Sequence, residues 1–424
     1  MIHINRSWNF IVLFVSLLIS TIGCSDLPVN QESPDENNEN VIETTNPNPS
    51  PSATPTLLPE PVAPIVAVSL GEEPNQSDVN SSITPAPLDK DQATEFLDIR
   101  GVGDAAMANT HQQPLPATFG EKLDAFDPTG KSYRGDLSFI NWETTVGDRC
   151  NQFWAPLGPS SFAFMSHPDN LGALYQRGFN LIGLANNHTR DCPNAEDGQD
   201  GAKVSAKHLE SFSQESGAEW LWHGVGAQKE AQIRTLNIKG REVKVAFANI
   251  YLADGDCTYV TCRADKKTVL RSLRDADADI RILSIHSWTA QTQQELVNTG
   301  VEFIQYYDGD VVFGHGPHVW KPVRVVESPR GKKGVLFESL GNFIHPALLP
   351  RTENIVGRAL FNLDTFELEQ VQVIPIAVSR VNVSFANAPN PTAVPTNLTW
   401  QLISDPNWQS GVNPGVKGAY SNIK

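Results

Sequence analysis

From Phe96 onward, short apolar runs alternate with amphipathic stretches of helical length, which is the pattern of an α/β chain. The apolar runs Leu97 to Asp104, Leu137 to Ile140, Leu181 to Ala185, Val243 to Ile250, Arg281 to His286, Asp310 to His318 and Val335 to Leu340 read as strands. Continuous rather than alternating apolar character predicts strands buried on both faces. Between them, Ser166 is read as a helix cap with Pro168 in the first turn. Leu171, Leu174 and Tyr175 give that helix its apolar face, and Gly178 ends it. A second helix is predicted over Ala202 to Phe212, with Val204, His208 and Phe212 at four-residue spacing. On that face His208 is expected to be half-buried packing rather than chemistry.

The strands matter for what stands at their ends. The central run stops abruptly at Asn186-Asn187-His188-Thr189-Arg190-Asp191. A lone Asn-His pair can simply cap a strand and satisfy loop amides. Here, however, separate strands end in turn at Asp104, at Glu143, at Asn187-His188, at His286 and at His315 and His318. In open α/β sheets ligands collect where strands end. Mixed carboxylate, amide and imidazole donors suit borderline divalent ions such as Mn²⁺, Fe²⁺ or Zn²⁺, so the pattern predicts a metal site.

Residues 1 to about 90 break the pattern. Asn5-Arg6, an apolar run from Trp8 to Ile19 and Gly23-Cys24 have the three-part layout of a secretory signal over 1–24. Gly23-Cys24 resembles a bacterial lipobox with Thr21 where Leu is usual, which would make Cys24 an acylation site. A plain signal peptide or an uncleaved anchor has the same layout. Residues 25–90 hold about eleven acidic residues against one basic, with many Pro, Asn and Ser, and are expected to form a disordered tether. That segment carries much of the net charge of −16, so the folded part, read as 91–385 with an irregular tail over 386–424, is only mildly acidic. Nothing there offers the basic face that nucleic acid requires.

Five cysteines are present, and setting Cys24 aside leaves four. An even number suits two disulfides in an oxidising compartment; the rival is a zinc site, although the spacings match no common zinc pattern. Cys150 lies shortly after Glu143 and Cys192 directly follows Asp191, so neighbouring strands would bring the pair together. Cys257 and Cys262 would then form the local bridge, with a Cys150–Cys257 link as the competing arrangement.

Val102-Gly103-Asp104, Asn141-Trp142-Glu143-Thr144, Gly178-Phe179-Asn180 through Asn186-Asn187-His188 to Asp191, Gly224-Val225-Gly226, Gly314-His315-Gly316-Pro317-His318-Val319 and Ser339-Leu340-Gly341-Asn342-Phe343 resemble, in order, the CapA-type capsule synthesis proteins. The resemblance runs from about Phe96 to about Ser379. That family is similar to the calcineurin-like metallophosphoesterases, which implies a layered α/β sandwich, its sheets flanked by helices and a metal centre at the strand ends. It also implies a role in making or anchoring poly-γ-glutamate capsule. By position, Asp104 would be the first-motif ligand, Glu143 would stand for the metal-bridging carboxylate, and Asn187, His286, His315 and His318 would complete the shell around one or two divalent ions. His188, with Asp191, would form the catalytic proton-donating pair. Arg190 and Lys321 could supply the positive charge that an anionic polymer such as poly-γ-glutamate needs, or be ordinary surface cations, and Arg190 and Asn342 are read as the substrate contacts. The reaction implied is metal-assisted attack by water on phosphorus or a carbonyl. Partners implied are the membrane, through the lipid anchor, and capsule-synthesis membrane subunits. A different class of reading is a non-catalytic polymer-binding or anchoring subunit that keeps the fold. Two departures bear on this choice: Ala106 stands where the phosphoesterases carry a His, and the loop Ser287-Trp288-Thr289-Ala290-Gln291 differs from the family's usual one.

Overall fold

The computed structural model describes residues 95–116, 118–158, 161–346, 351–386, 397–402 and 418–423. The segments read as a signal and a tether lie outside the described residues. In chain order the principal elements are β1 (Phe96–Ala105), α1 (Phe119–Phe126), β2 (Leu137–Trp142), α2 (Asp169–Gln176), β3 (Leu181–Gly183), α3 (Gly201–Ser216), β4 (Leu221–His223), β5 (Gln232–Ile238) and β6 (Arg241–Tyr251). They continue with α4 (Lys266–Asp275), β7 (Ile280–His286), α5 (Ala290–Tyr306), β8 (Val311–His315), β9 (Val323–Glu327), β10 (Lys333–Phe337), β11 (Thr352–Asn362), β12 (Leu368–Ser379), β13 (Asn382–Phe385), β14 (Gln401–Leu402) and β15 (Ala419–Asn422).

Two sheets form. The larger runs β14-β15-β12-β11-β1-β2-β3-β4, with β13 also on β12, and the smaller runs β9-β10-β8-β7-β6-β5. Within them β1, β2, β3 and β4 are mutually parallel, as are β6, β7, β8 and β10. Each parallel set therefore delivers its strand ends to one edge, where ligands collect.

The predicted burial on both faces holds, and it sets the layers. Ile99, Phe139, Leu181, Phe247, Phe313 and Phe337 meet in the core between the sheets. The opposite face of the larger sheet, including Val102, Ile140 and Ile182, packs on Leu123, Leu171 and Leu209 of α1, α2 and α3. Leu283, Val312 and Leu336 on the outer face of the smaller sheet pack on Leu270 of α4 and Leu296 of α5. The result is a helix–sheet–sheet–helix sandwich of the layered metallophosphatase-like class. Phe139 stacks on Phe313 with ring centroids 4.8 Å apart. Gly101 makes room for this, since a Cβ there would fall 2.4 Å from the Phe313 ring.

Three local readings differ from the sequence. Ser166 does not cap a helix: it ends a two-residue strand with Met165, and α2 starts at Asp169 behind Pro168. Its hydroxyl donates instead to the Met107 carbonyl, so a neighbouring loop takes the side chain that a cap would have used. His208 is drawn by Glu196, which accepts from its Nε2, rather than by apolar packing alone. Nor is 386–424 wholly irregular, because β15 adds to the edge of β12 in antiparallel register, Gln370 against Asn422 through Val373 against Ala419. Four residues are too few to show a period, and the waiting sheet edge supplies the hydrogen bonds that make them a strand.

One buried histidine sets an acid limit on stability. His223 at the end of β4 has no solvent exposure, donates from Nε2 to the Glu230 carbonyl at 2.9 Å and accepts the Asn249 amide at Nδ1 at 3.0 Å. Burial pushes its pKa from 6.5 down to about 4, against the pull of the two backbone contacts. Because the folded value lies below the unfolded one, the unfolded chain binds the proton first. Stability from this group is complete above about pH 6.5 and is lost as pH falls toward 4, by about 3 kcal/mol. His223→Gln is expected to flatten that part of the profile. Denaturant unfolding at pH 7 and pH 4.5 checks it, and an unchanged slope would refute it.

Candidate metal centre

Each functional side chain is placed by a strand end. A bulge between Val102 and Asp104 in β1 turns Asp104 toward the seam between the sheets. There the Asp104 amide donates to Gly341 O at 2.8 Å and Phe343 N donates to Asp104 O at 2.7 Å, joining the first strand to the loop after β10. Gly103 permits the approach, since a Cβ on it would lie 1.8 Å from Gly341 O. On the smaller sheet His286 and His315 are direct register partners across β7 and β8.

These ends converge on two groups. Asp104, His286 and His315 form the first, and Glu143, His318 and His345 the second; in each, one ligand atom per residue falls within 4.8 Å of the others. Asp104 Oδ1 lies 3.4 Å from His315 Nδ1 and 3.8 Å from His286 Nδ1, while Oδ2 lies 3.2 Å from His318 Nδ1. Glu143 Oε1 is 3.7 Å from His286 Nε2, and Oε2 is 3.3 Å from His345 Nε2. Thus His286 reaches toward both carboxylates.

Surrounding residues hold the ligands. Asn141 Nδ2 donates to Asp104 Oδ1 at 2.8 Å, and Gly316 N donates to Oδ2 at 3.0 Å. Asn249 Nδ2 donates to Ser284 Oγ at 3.0 Å, and that hydroxyl lies 2.7 Å from His315 Nε2, which leaves Nδ1 to face Asp104. In the central loop Asn186 spends its amide on structure, donating to Asn141 Oδ1 at 3.2 Å and Trp142 O at 3.1 Å and accepting His188 N at 3.1 Å. Asn187 has a buried Oδ1 with no hydrogen-bond partner among the described residues. His188 Nδ1 sits 2.5 Å from Asp191 Oδ2, and that same oxygen accepts Phe164 N at 2.6 Å. Phe164 lies against both His188 and His345, with ring centroids 4.7 and 5.5 Å apart, so the His–Asp pair borders the second group.

The charges follow from burial set against neighbours. Burial opposes ionisation of Asp104, but hydrogen bonds from His315 and His318 outweigh it and hold the carboxyl well below its usual range. Glu143 is lowered too, against burial and the Asp104 charge, by His318 and His345. Burial pushes His286 down to about 3 and also lowers His345, so both are neutral, as a ligand imidazole must be. His318 goes the other way, up to about 9, because Glu143 and Asp104 overcome its burial, so it must release a proton before it can act as a ligand. At His188, Asp191 overcomes burial and raises the imidazole, which makes His188 the proton holder and Asp191 the acceptor.

Both Glu143 carboxylate oxygens, His286 Nε2, both His345 ring nitrogens and Asn187 Oδ1 are buried without a hydrogen-bond partner among the described residues. Buried polar atoms are rarely orphaned, and each costs about 1–3 kcal/mol. Oxygen and imidazole donors gathered in this way fit a divalent cation, so the residues present suit a metal centre.

Five of the six residues read from the sequence as ligands, Asp104, Glu143, His286, His315 and His318, stand in these two groups, while Asn187 lines the neighbouring cleft beside Tyr251, and two expected substrate contacts are engaged elsewhere. Arg190 Nε donates to Asp200 Oδ2 at 2.8 Å and Nη1 to Asp256 Oδ2 at 3.0 Å. It lines a cleft of about 110 Å³ with Asn187, Tyr251, Asp254 and Asp256, whose wall is therefore not a free cationic surface. Asn342 is buried and accepts from His318 Nδ1 at 2.8 Å, which orients that imidazole. His345 was not anticipated. Its only signal was an imidazole three residues past Asn342, in a segment with no period.

Both expected disulfides form. Cys150–Cys192 has its Cα atoms 5.7 Å apart and Cys257–Cys262 5.6 Å.

Residues 99–347 match the family described as "Bacterial capsule synthesis protein PGA_cap". No curated protein matches the chain. Among solved structures, a hypothetical protein from Thermus thermophilus aligns with 67% of this chain and 99% of its own, at 12% identity and a TM-score of 0.37.

Proposed function

The chain belongs to the bacterial capsule synthesis family PGA_cap, itself part of the metallophosphoesterase-like superfamily, and from that premise we propose a metal-dependent hydrolase or transferase of capsule biosynthesis. The bond it acts on is a phosphoester or γ-glutamyl bond of an anionic envelope polymer such as poly-γ-glutamate. One observation carries the reading: the orphaned ligand atoms of Glu143, His286 and His345 gather beside Asp104, His315 and His318 in a buried site.

Asp104, His286 and His315 would hold one cation, and Glu143, His318 and Asn187 the second. A bound Mn²⁺, Fe²⁺ or Zn²⁺ supplies Lewis acidity and lowers the pKa of water. The chain's own residues do the rest. Asp104 and Glu143 stay ionised, and the Asn249–Ser284–His315 chain fixes one imidazole. His188 has Nδ1 committed to Asp191, so the proton available to a leaving group is on Nε2. Its side chain is 11% exposed and that of His318 14%, whereas those of Asp104, Glu143 and His286 are fully buried, so His188 and His318 are the members that meet incoming substrate. With Arg190 neutralised by Asp200 and Asp256, the attraction for a polyanion falls to the cations.

Elemental analysis of purified protein, with a screen of phosphoester and γ-glutamyl substrates, tests the proposal. Bound divalent metal and metal-dependent turnover are expected. Protein that takes up no metal under any loading would overturn it and favour the non-catalytic anchoring role.

Capsule-family membership associates the protein with the cell envelope, and among the described residues no helix is long and apolar enough to cross a membrane. Attachment through an acylated Cys24 is part of the proposal, with capsule-synthesis membrane subunits as partners. Cys24→Ser is expected to release the protein from the membrane fraction or block its processing; a variant processed and fractionated like the parent would refute lipid anchoring.

A further inference from the structure

We infer that His345 is a second imidazole ligand, beside His318, of the second cation position, supplied from the loop after β10 to a side of the site where the first strand offers no ligand. The inference rests on the metal-dependent reading above.

The chain just past Asp104 has nothing to contribute there. Ala106 is fully buried and offers only a methyl group, while its amide donates to Ile344 O at 2.8 Å. Residues 104–106 and 341–344 therefore run side by side, and the residue that follows Ile344 is His345. Its side chain is 2% exposed. Nε2 lies 3.3 Å from Glu143 Oε2 and neither ring nitrogen has a hydrogen-bond partner among the described residues. The ring is held in place, edge-on to Phe164 at 5.5 Å and beside His318 at 5.2 Å between centroids.

A packing role alone would be met by a phenyl ring, which has no nitrogens to leave orphaned in the interior. A ligand role accounts for both the residue type and its direction toward Glu143. The loop is also fixed as a ligand-bearing loop must be. Asn342 N donates to Asn354 Oδ1 at 3.0 Å, Gly341 N donates to Ser339 Oγ at 3.1 Å, and the Asp104–Gly341 and Phe343–Asp104 backbone bonds clamp it to β1. Occupancy of the second position is thereby tied to the joint between the two sheets.

The test is Co²⁺ titration of metal-free full-length protein, followed by visible absorption and metal content per chain. His345→Phe keeps the ring volume between Phe164 and His318 and removes two orphaned nitrogens, so thermal unfolding of the metal-free variant should lie at or above that of the parent. Bound Co²⁺ is expected to fall from two per chain to one. The swap of Ala106→His with His345→Ala is expected to regain the second ion. If His345→Phe still binds two with parental affinity, the inference fails and the metal-dependent reading stands. If the parent itself binds no Co²⁺, both fail.

Discussion

Asp104→Ala is expected to abolish cation binding at the Asp104–His286–His315 group and to lower metal-dependent turnover by roughly 10³-fold or more, about 4 kcal/mol of transition-state stabilisation. The size of the effect follows from how many groups lean on this carboxylate. It faces three imidazoles and accepts from Asn141 Nδ2 and Gly316 N. Removing it takes away one ligand and leaves His286 and His315 facing each other, with Nδ1 atoms 2.8 Å apart and no anion between them and a cation. Asp104→Asn separates charge from volume, because it keeps the shape and an acceptor while losing the carboxylate. Both variants should lose metal, Asn less completely. Parental metal content in Asp104→Ala, measured on folded protein, would remove Asp104 from the centre.

Loss of the Cys150–Cys192 bond is expected to cost about 4 kcal/mol of stability in the chain-entropy picture, since it closes a loop with a sequence separation of 42. The Cys257–Cys262 bond, with a separation of 5, restricts the unfolded chain less, by about 2 kcal/mol. The larger bond also carries a functional consequence. Cys192 follows Asp191, whose carbonyl accepts Trp154 N at 2.8 Å and whose carboxylate holds His188. Cys150 is tied in turn to the 110–116 loop, where Gln113 Nε2 donates to its carbonyl at 2.7 Å. Cys150→Ser with Cys192→Ser should therefore lower the denaturation midpoint far more than Cys257→Ser with Cys262→Ser, and should reduce turnover while leaving bound metal in place. Equal losses from the two pairs would contradict the loop-length argument. Unchanged turnover at a temperature where the protein stays folded would contradict the positioning of His188.

Much of the site was legible because each parallel strand is apolar on both faces and must change character abruptly where it leaves the core. Asp104, Glu143, Asn187, His188, His286 and His315 all stand at such breaks, and strand ends of one parallel set share an edge whatever the order of the strands. The cysteine pairing was legible for the same reason, since Cys150 and Cys192 sit on loops leaving the neighbouring strands β2 and β3. Poorly legible were the short elements whose hydrogen bonds come from a distant edge, such as β15 on β12, and the cap at Ser166, whose hydroxyl could have accepted a helix amide but donates to the Met107 carbonyl.

The sequence by itself determined the α/β class, the edge at which chemistry gathers and the residue types that gather there, because apolar period and its interruption are local properties of the chain, while the layering was implied only by the family resemblance. Only the tertiary structure decided how those residues divide the work. Arg190 is spent on Asp256, which is far from it in sequence, and Asn342 is spent on orienting His318. His345 enters the site because the loop after β10 pairs with β1 across the seam of the two sheets, through the Asp104–Asn342 bridge. A side chain's partner is set by which backbones lie side by side after packing, and no pattern along a single strand encodes a contact made between two sheets.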